Sequence, residues 1–462
     1  MTPPLLPHAL PPIAGREAEL QALMGRPPSP QPLPPPATVR SAFACALHMH
    51  QPTIPAGPDG ALISHLQWMF DHPGEGDNHN AAPFAHCYRR LADLLPQLIN
   101  EGCEPRIMLD YSGNLLWGFE QMGRHDILEA LQRLACDPLL VPRVEWLGTF
   151  WSHAVAPSTP IADLPLHIQA WQHHFAALFG DGALARVRGF SPPEMALPND
   201  PDTLFAFVVA LRASGYDWLL VQEHSVVNPD GSPLAPAQTR VPNRLVARDP
   251  SGATVSITAL IKTQGSDTKL VGQMQPCAEA LGLDRCLLAG RPIPALVAQI
   301  ADGENGGVMM NEFPQAFIEA HRRLAGADPA APAGTVAVNG SEYLDLVAAA
   351  GVSPDDFPPI QAAGTPSLDG SSWTNHISWV EGYAELLEPL QVLSVRFHSL
   401  CDPRLASDPS FSRTPAYQNA LLHLLLLETS CFRYWGQGTW TEYARELHRR
   451  GEAALEALAA QR

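Results

Sequence analysis

Ser41-Ala42-Phe43-Ala44-Cys45-Ala46-Leu47 runs without a break into His48-Met49-His50-Gln51-Pro52. An apolar run that ends in polar, proton-carrying side chains reads as a buried strand whose last residues open onto a loop. The pattern recurs. Val187-Arg188-Gly189-Phe190 leads into Ser191-Pro192-Pro193-Glu194, and Ile293 to Ala301 leads into Asp302-Gly303-Glu304-Asn305. Strand ends that open onto loops are where an α/β barrel keeps its chemistry.

Working outward, strands are expected at Pro105–Asp110, Val144–Gly148, Trp218–Val221 and Thr335–Val338. Helical spacing marks Cys87–Ile99, Asp126–Ala135, Leu166–Phe179, Thr203–Ala213 and Ser341–Ala350. Strands alternating with helices give a mostly parallel sheet. With six or seven such units and no GxGxxG fingerprint, a barrel is favoured over a dinucleotide-binding sheet. Beyond about residue 360 the alternation stops. Glu381–Leu390, Pro415–Leu427 and Trp440–Ala459 are all apolar at helical spacing, with Ala362–Ser372 as the joint. Residues 1–37 hold twelve of the 47 prolines, so they are expected as an arm lying on the body or disordered, with a short helix at Arg16–Met24. The expected domains are an arm at 1–38, a catalytic barrel at 39–360 and a helical domain at 361–462.

The 462 residues are 46% hydrophobic and 16% charged, which is a globular composition. A formal charge of −18 argues against a nucleic-acid partner. No apolar run is long enough to span a bilayer, and the N-terminus lacks a basic region followed by an apolar core. The eight cysteines form no Cys-x-x-Cys pair, and buried reduced thiols are expected. Together these features suggest a cytoplasmic protein.

Two carboxylates delivered from separate strand ends are what cleavage of a glycosidic bond requires, one at the anomeric carbon and one protonating the leaving oxygen. Glu194 follows two prolines that stop any helix and stiffen the turn, which suits a nucleophile. Asp302 lies nearer the end of its apolar run than Glu304 and is the favoured acid, with Glu304 the alternative. Taken singly, each is also compatible with ordinary turn or capping chemistry. For Asp302 to donate a proton, burial or the charge of Glu194 is expected to raise its pKa. His48 and His50 share one strand face and suit hydrogen bonding to sugar hydroxyls or to the nucleophile. A zinc site is the weaker reading, because no Asp or Cys completes one nearby. His153 and Trp151 lie at another strand end.

These fragments also resemble, in order, the first four signature regions of glycoside hydrolase family 57. The regions are His48–Pro52, Val144 through His153 to Pro157, Gly189–Glu194 and Asp302–Asn305. The likeness extends to Ser112–Leu116, Ser341–Leu344, Gly370–Trp373 and Thr429–Gly436, and so covers most of the chain from about residue 40. It departs at Phe190-Ser-Pro-Pro-Glu194, where many members carry a Trp-Leu-Pro-Glu type of sequence. The resemblance implies a (β/α)7-type barrel followed by a C-terminal α-helical domain that acts on α-glucans with retention and without a metal or organic cofactor. It implies Glu194 as nucleophile and Asp302 as acid/base, with His50 beside the scissile bond. Substrate contacts are expected from His48, His50, Gln51, Trp151, His153, Glu304, Trp373, Trp435 and Trp440. A catalytically inactive glycan-binding relative and a metal-dependent deacetylase- or mannosidase-like barrel are the alternatives.

Overall fold

A computed structural model of the chain describes residues 10–25, 34–263, 271–304, 307–327, 333–364, 383–434 and 438–460. Seven strands organise it: β1 (Ser41–Met49), β2 (Ile107–Tyr111), β3 (Val144–Trp146), β4 (Gly189–Phe190), β5 (Trp218–Gln222), β6 (Thr254–Lys262) and β7 (Ala295–Asp302). Parallel pairings join β3 to β2, β2 to β1, β1 to β7, β7 to β6, β6 to β5 and β5 to β4. A parallel bridge between Gly148, just past β3, and Phe190 of β4 completes the circuit. Seven parallel strands in a closed circuit of pairings are the arrangement expected of a (β/α)7-type barrel.

Side-chain alternation sorts the strands into two faces. Phe43, Cys45, Leu47, Ile107, Leu109, Val221 and Ile261 pack outward into the core shared with the surrounding helices. Ala42, Ala44, Ala46, Met108, Leu220, Leu260 and Ala298 form a second, inner core. Alanines suit this inner face because a seven-strand ring leaves little room for larger side chains. The same period of two puts His48, Asp110, Ser191, Gln222, Lys262 and Asp302 on the inner face at the C-terminal ends of six strands. At the opposite end the helix Gly340–Ala349 places Tyr343, Leu346 and Val347 in the inner core. There Glu145 accepts from the backbone N–H and the hydroxyl of Ser341.

Most expected elements fall within a few residues of their observed limits. Others differ. Strand β6 and its antiparallel neighbour Asn243–Arg248 were not anticipated, and Thr335–Ala337 is not a ring strand but pairs with the first three residues of β1. The helix expected at Cys87–Ile99 is two helices that part at Arg90, and the one expected at Glu381–Leu390 runs on to Ser407. The C-terminal part is helical: Tyr383–Ser407, Pro415–Leu427 and Thr439–Ala460. Between the last two helices, residues 428–431 make a corner that meets the barrel mouth. Thr429 bridges Ala154, and the buried imidazole of His167 lies 2.6 Å from the buried carboxylate of Glu428. In the arm, the helix Glu17–Met24 buries Leu20 and Met24, while Arg413 donates to the carbonyl of Gly15. The described part of the arm thus lies on the body. No helix among the described residues is long and apolar enough to cross a membrane.

Candidate active site

Register sets the first group. His48 of β1 stands opposite Asp110 of β2 on one side and opposite Asp302 of β7 on the other. Its Nδ1 lies 3.0 Å from the carboxylate of Asp110, which has no exposed surface. Burial works against a charge on His48. The Asp110 carboxylate and its hydrogen bond, with the charges of Asp302 and Glu304, outweigh that and hold the imidazole at about 10. His48 is therefore a cation at neutral pH.

The loop after β3 supplies the second group. His153 takes a left-handed φ of 62°, costly for a residue with a Cβ and characteristic of positions held for a purpose. Its ring stacks on His50 at 4.0 Å between centroids, nearly parallel, and lies 4.6 Å from that of His48. Burial and the neighbouring His50 and His48 push its pKa well below the ordinary imidazole value. Burial, with His48, does the same to His50. A charged histidine thus sits beside two neutral ones.

Glu194 follows β4 on a tight turn, with φ of 58° at Glu194 and 53° at Met195. Pro192 and Pro193 set the entry to the turn, and Gln222 of β5 donates to the Glu194 carbonyl at 3.4 Å. The turn carries the Glu194 carboxylate to 3.9 Å from Nε2 of His153. At the same C-terminal mouth of the strands, His48 Nε2, His153 Nε2, Ser191 Oγ and Gln222 Oε1 are buried with no hydrogen-bond partner among the described residues. Buried polar atoms are seldom left unsatisfied, and several at one strand-end mouth suit a polyhydroxyl ligand.

Other expected contacts take different roles. Asp302 is exposed, and the burial expected for it is found instead at Glu304. Burial, then the charge of Asp302, pushes Glu304 up to about 8 against the bond it accepts from the His50 N–H at 3.0 Å. With Tyr88 as its other partner, Glu304 props the end of β1 from behind. His50 has both ring nitrogens engaged, Nδ1 with Ser112 at 2.7 Å and Nε2 with the Cys431 thiol at 3.3 Å. In the described arrangement it is His48, not His50, that offers an unengaged ring nitrogen. Trp151 has no exposed surface, its indole N–H donates to His174, and a Cβ on Gly113 would strike its ring at 2.0 Å. Contrary to expectation, it is a wall of the core and not a stacking face for a sugar. Gln51 bonds to His65 at 3.0 Å, and the partly exposed Trp440 packs near the same His65 ring. Trp373 and Trp435 lie outside the described residues.

Asp110, Ser112, Ser191, Gln222, Ser430 and Cys431 were not picked out as site residues from sequence. Asp110 and Gln222 carried a signal: each is a polar residue ending an apolar strand on the inward parity. No group of three or more His, Cys, Asp or Glu side chains among the described residues is placed to hold a metal ion.

Residues 44–251 match the family model described as glycosyl hydrolase family 57. The chain carries a family 57 glycosyl hydrolase domain. The matched span includes His48, His50, Asp110, His153 and Glu194, whereas Asp302 and Glu304 lie beyond it. Among solved structures, the chain is similar to a GH57-type branching enzyme from the archaeon Pyrococcus horikoshii, with a TM-score of 0.58 at 14% identity, covering 90% of this chain and 88% of that one. It is also similar to a 4-alpha-glucanotransferase from Thermococcus litoralis, with a TM-score of 0.57 at 14% identity, covering 90% of this chain but 60% of that chain's length. An alpha-mannosidase from Enterococcus faecalis superimposes with a TM-score of 0.52 at 11% identity, covering 91% of this chain and 42% of that one. At such identities the likeness is one of fold alone. No curated protein sequence matches the chain.

Proposed function

We propose that the protein is a retaining α-glucan hydrolase or glucanotransferase, with Glu194 as nucleophile and Asp302 as acid/base. The observation that carries this reading is the placement of Glu194. A left-handed turn after β4 aims it at His153, among buried polar atoms that lack partners. Asp302 enters the same mouth from β7, beside the cationic His48. The family match and the named activities of the branching enzyme and the glucanotransferase support the substrate class.

In the proposed cycle the Glu194 carboxylate attacks the anomeric carbon while Asp302 gives its proton to the leaving glycosidic oxygen. A glycosyl ester on Glu194 results. Asp302, now a carboxylate, takes the proton from water or from a sugar hydroxyl as that oxygen displaces Glu194. Two inversions leave the configuration retained, a mechanism that goes with carboxyl groups about 5–5.5 Å apart. In this reading His48 Nε2, Ser191 and Gln222 bind hydroxyls of the sugar undergoing reaction.

The test is product analysis after incubation with maltoheptaose, with Glu194→Gln as the control. Redistribution of chain length by the wild type alone supports the reading, and Glu194→Gln should lose more than about a thousandfold in rate. Products both longer and shorter than the substrate mean transfer, and shorter ones only mean hydrolysis. A fully active Glu194→Gln sinks the assignment. Tight binding of the glucan without any turnover moves the protein to a glycan-binding role.

A further inference from the structure

We propose that Ser430, on the corner between two C-terminal helices, is a positioning residue that holds the His153 ring with its Nε2–H facing Glu194. The inference deepens the functional reading and rests on Glu194 as the nucleophile. The Oγ of Ser430 lies 2.8 Å from Nδ1 of His153, and the opposite nitrogen, Nε2, is the atom 3.9 Å from the Glu194 carboxylate.

The chemistry of the ring selects one arrangement. Burial and the nearby His50 and His48 keep His153 neutral at pH 7, so one nitrogen carries hydrogen and the other a lone pair. A lone pair on Nε2 would point at an anionic oxygen, which is repulsive. The favourable form has Nε2–H toward Glu194 and Nδ1 as acceptor, and Nδ1 is buried and needs a donor. The Ser430 hydroxyl is that donor. Fixing an imidazole through its far nitrogen is how an oriented partner sets which nitrogen acts.

The backbone adds a second hold. The Ser430 N–H donates to the His153 carbonyl at 3.3 Å, and Thr429 bridges Ala154, so two main-chain links stabilise the left-handed φ of His153. The ring itself is sandwiched against His50, whose Nε2 meets Cys431, the next residue of the same corner. The helical part thus supplies to the barrel mouth what the strand ends lack, a donor on the outer side of His153.

Nitrogen-15 spectra of the histidines test the arrangement without any assay of turnover, with the His153 signals assigned by their loss in His153→Gln. The wild type should give the Nε2–H pattern with an accepting Nδ1, and an Nδ1–H pattern overturns the proposal. In the maltoheptaose assay, Ser430→Ala should lower kcat about tenfold with KM within about twofold, because a misplaced ring no longer faces the carboxylate. Ser430→Thr, which keeps the hydroxyl, should restore it. Wild-type kcat in Ser430→Ala overturns the proposal, as does an equal loss in both variants, which would reveal packing as the cause. If the wild type turns over no glucan, the functional reading fails, while the spectra still decide the geometry.

Discussion

Asp110→Asn takes away one charge in a buried pair and leaves an oxygen able to accept from His48. In the native protein, burial opposes the cation while Asp110, Asp302 and Glu304 hold it, with a pKa of about 10. An ordinary histidine titrates near 6.5, and each pH unit of difference is worth about 1.4 kcal/mol, so the ceiling on the pair's stabilisation is about 5 kcal/mol. Breaking a buried ion pair costs about 3–5 kcal/mol, the same range. The sign follows from a raised pKa. The stabilisation is complete below about pH 6.5 and is lost as pH rises through about 10. Urea unfolding of wild type and Asp110→Asn at pH 6.5, 8 and 10 should therefore show the variant weaker at pH 6.5. The gap should narrow by about 3–5 kcal/mol toward pH 10. A gap that stays constant with pH would mean that His48 is neutral throughout, and the account of a charged donor at the barrel mouth would fall with it.

Asp302→Asn should lose about a hundred- to ten-thousandfold in kcat on maltoheptaose. It should lose far less on α-glucosyl fluoride, whose leaving group needs no proton; equal losses on both would remove Asp302 as the acid. Glu304→Gln should keep most of the rate at pH 7, because burial already holds that carboxyl protonated, with a pKa of about 8. A loss as deep as that of Asp302→Asn would transfer the acid role to Glu304. With its folded pKa raised above about 4.5, Glu304 contributes stability that wanes as pH rises from there through about 8, and Glu304→Gln should flatten that part of the unfolding curve.

Much of the frame was legible because its strands end abruptly. Ala42 to Leu47 is apolar throughout, and the histidines that follow it mark an opening. Thr254-Val-Ser-Ile-Thr-Ala-Leu-Ile261 carried an equally plain signal, β-branched and apolar residues in a run, and was passed over amid the long stretch between β5 and β7. The site was less legible where it depends on partners remote in sequence. Nothing local to Asp110 says that it faces His48, since that follows from the register of two strands. Nothing in Thr429-Ser430-Cys431 says that the corner reaches two histidines hundreds of residues earlier in the chain. Trp151 misled for the converse reason. An aromatic residue at a strand end looks like a sugar platform until the neighbouring helix is seen to cover it.

The bridge between Gly148 and Phe190 is one of two single-pair joins in the ring, made by the Gly148 N–H to the Gly189 carbonyl and the Ser191 N–H to the Gly148 carbonyl. It joins the two shortest strands of the ring, and the chain leaving one carries His153 while the chain leaving the other carries Glu194. A bound sugar that touches both side chains therefore acts as a rivet across a zip. Occupancy should slow hydrogen exchange at the Gly148 and Ser191 amides more than at β1.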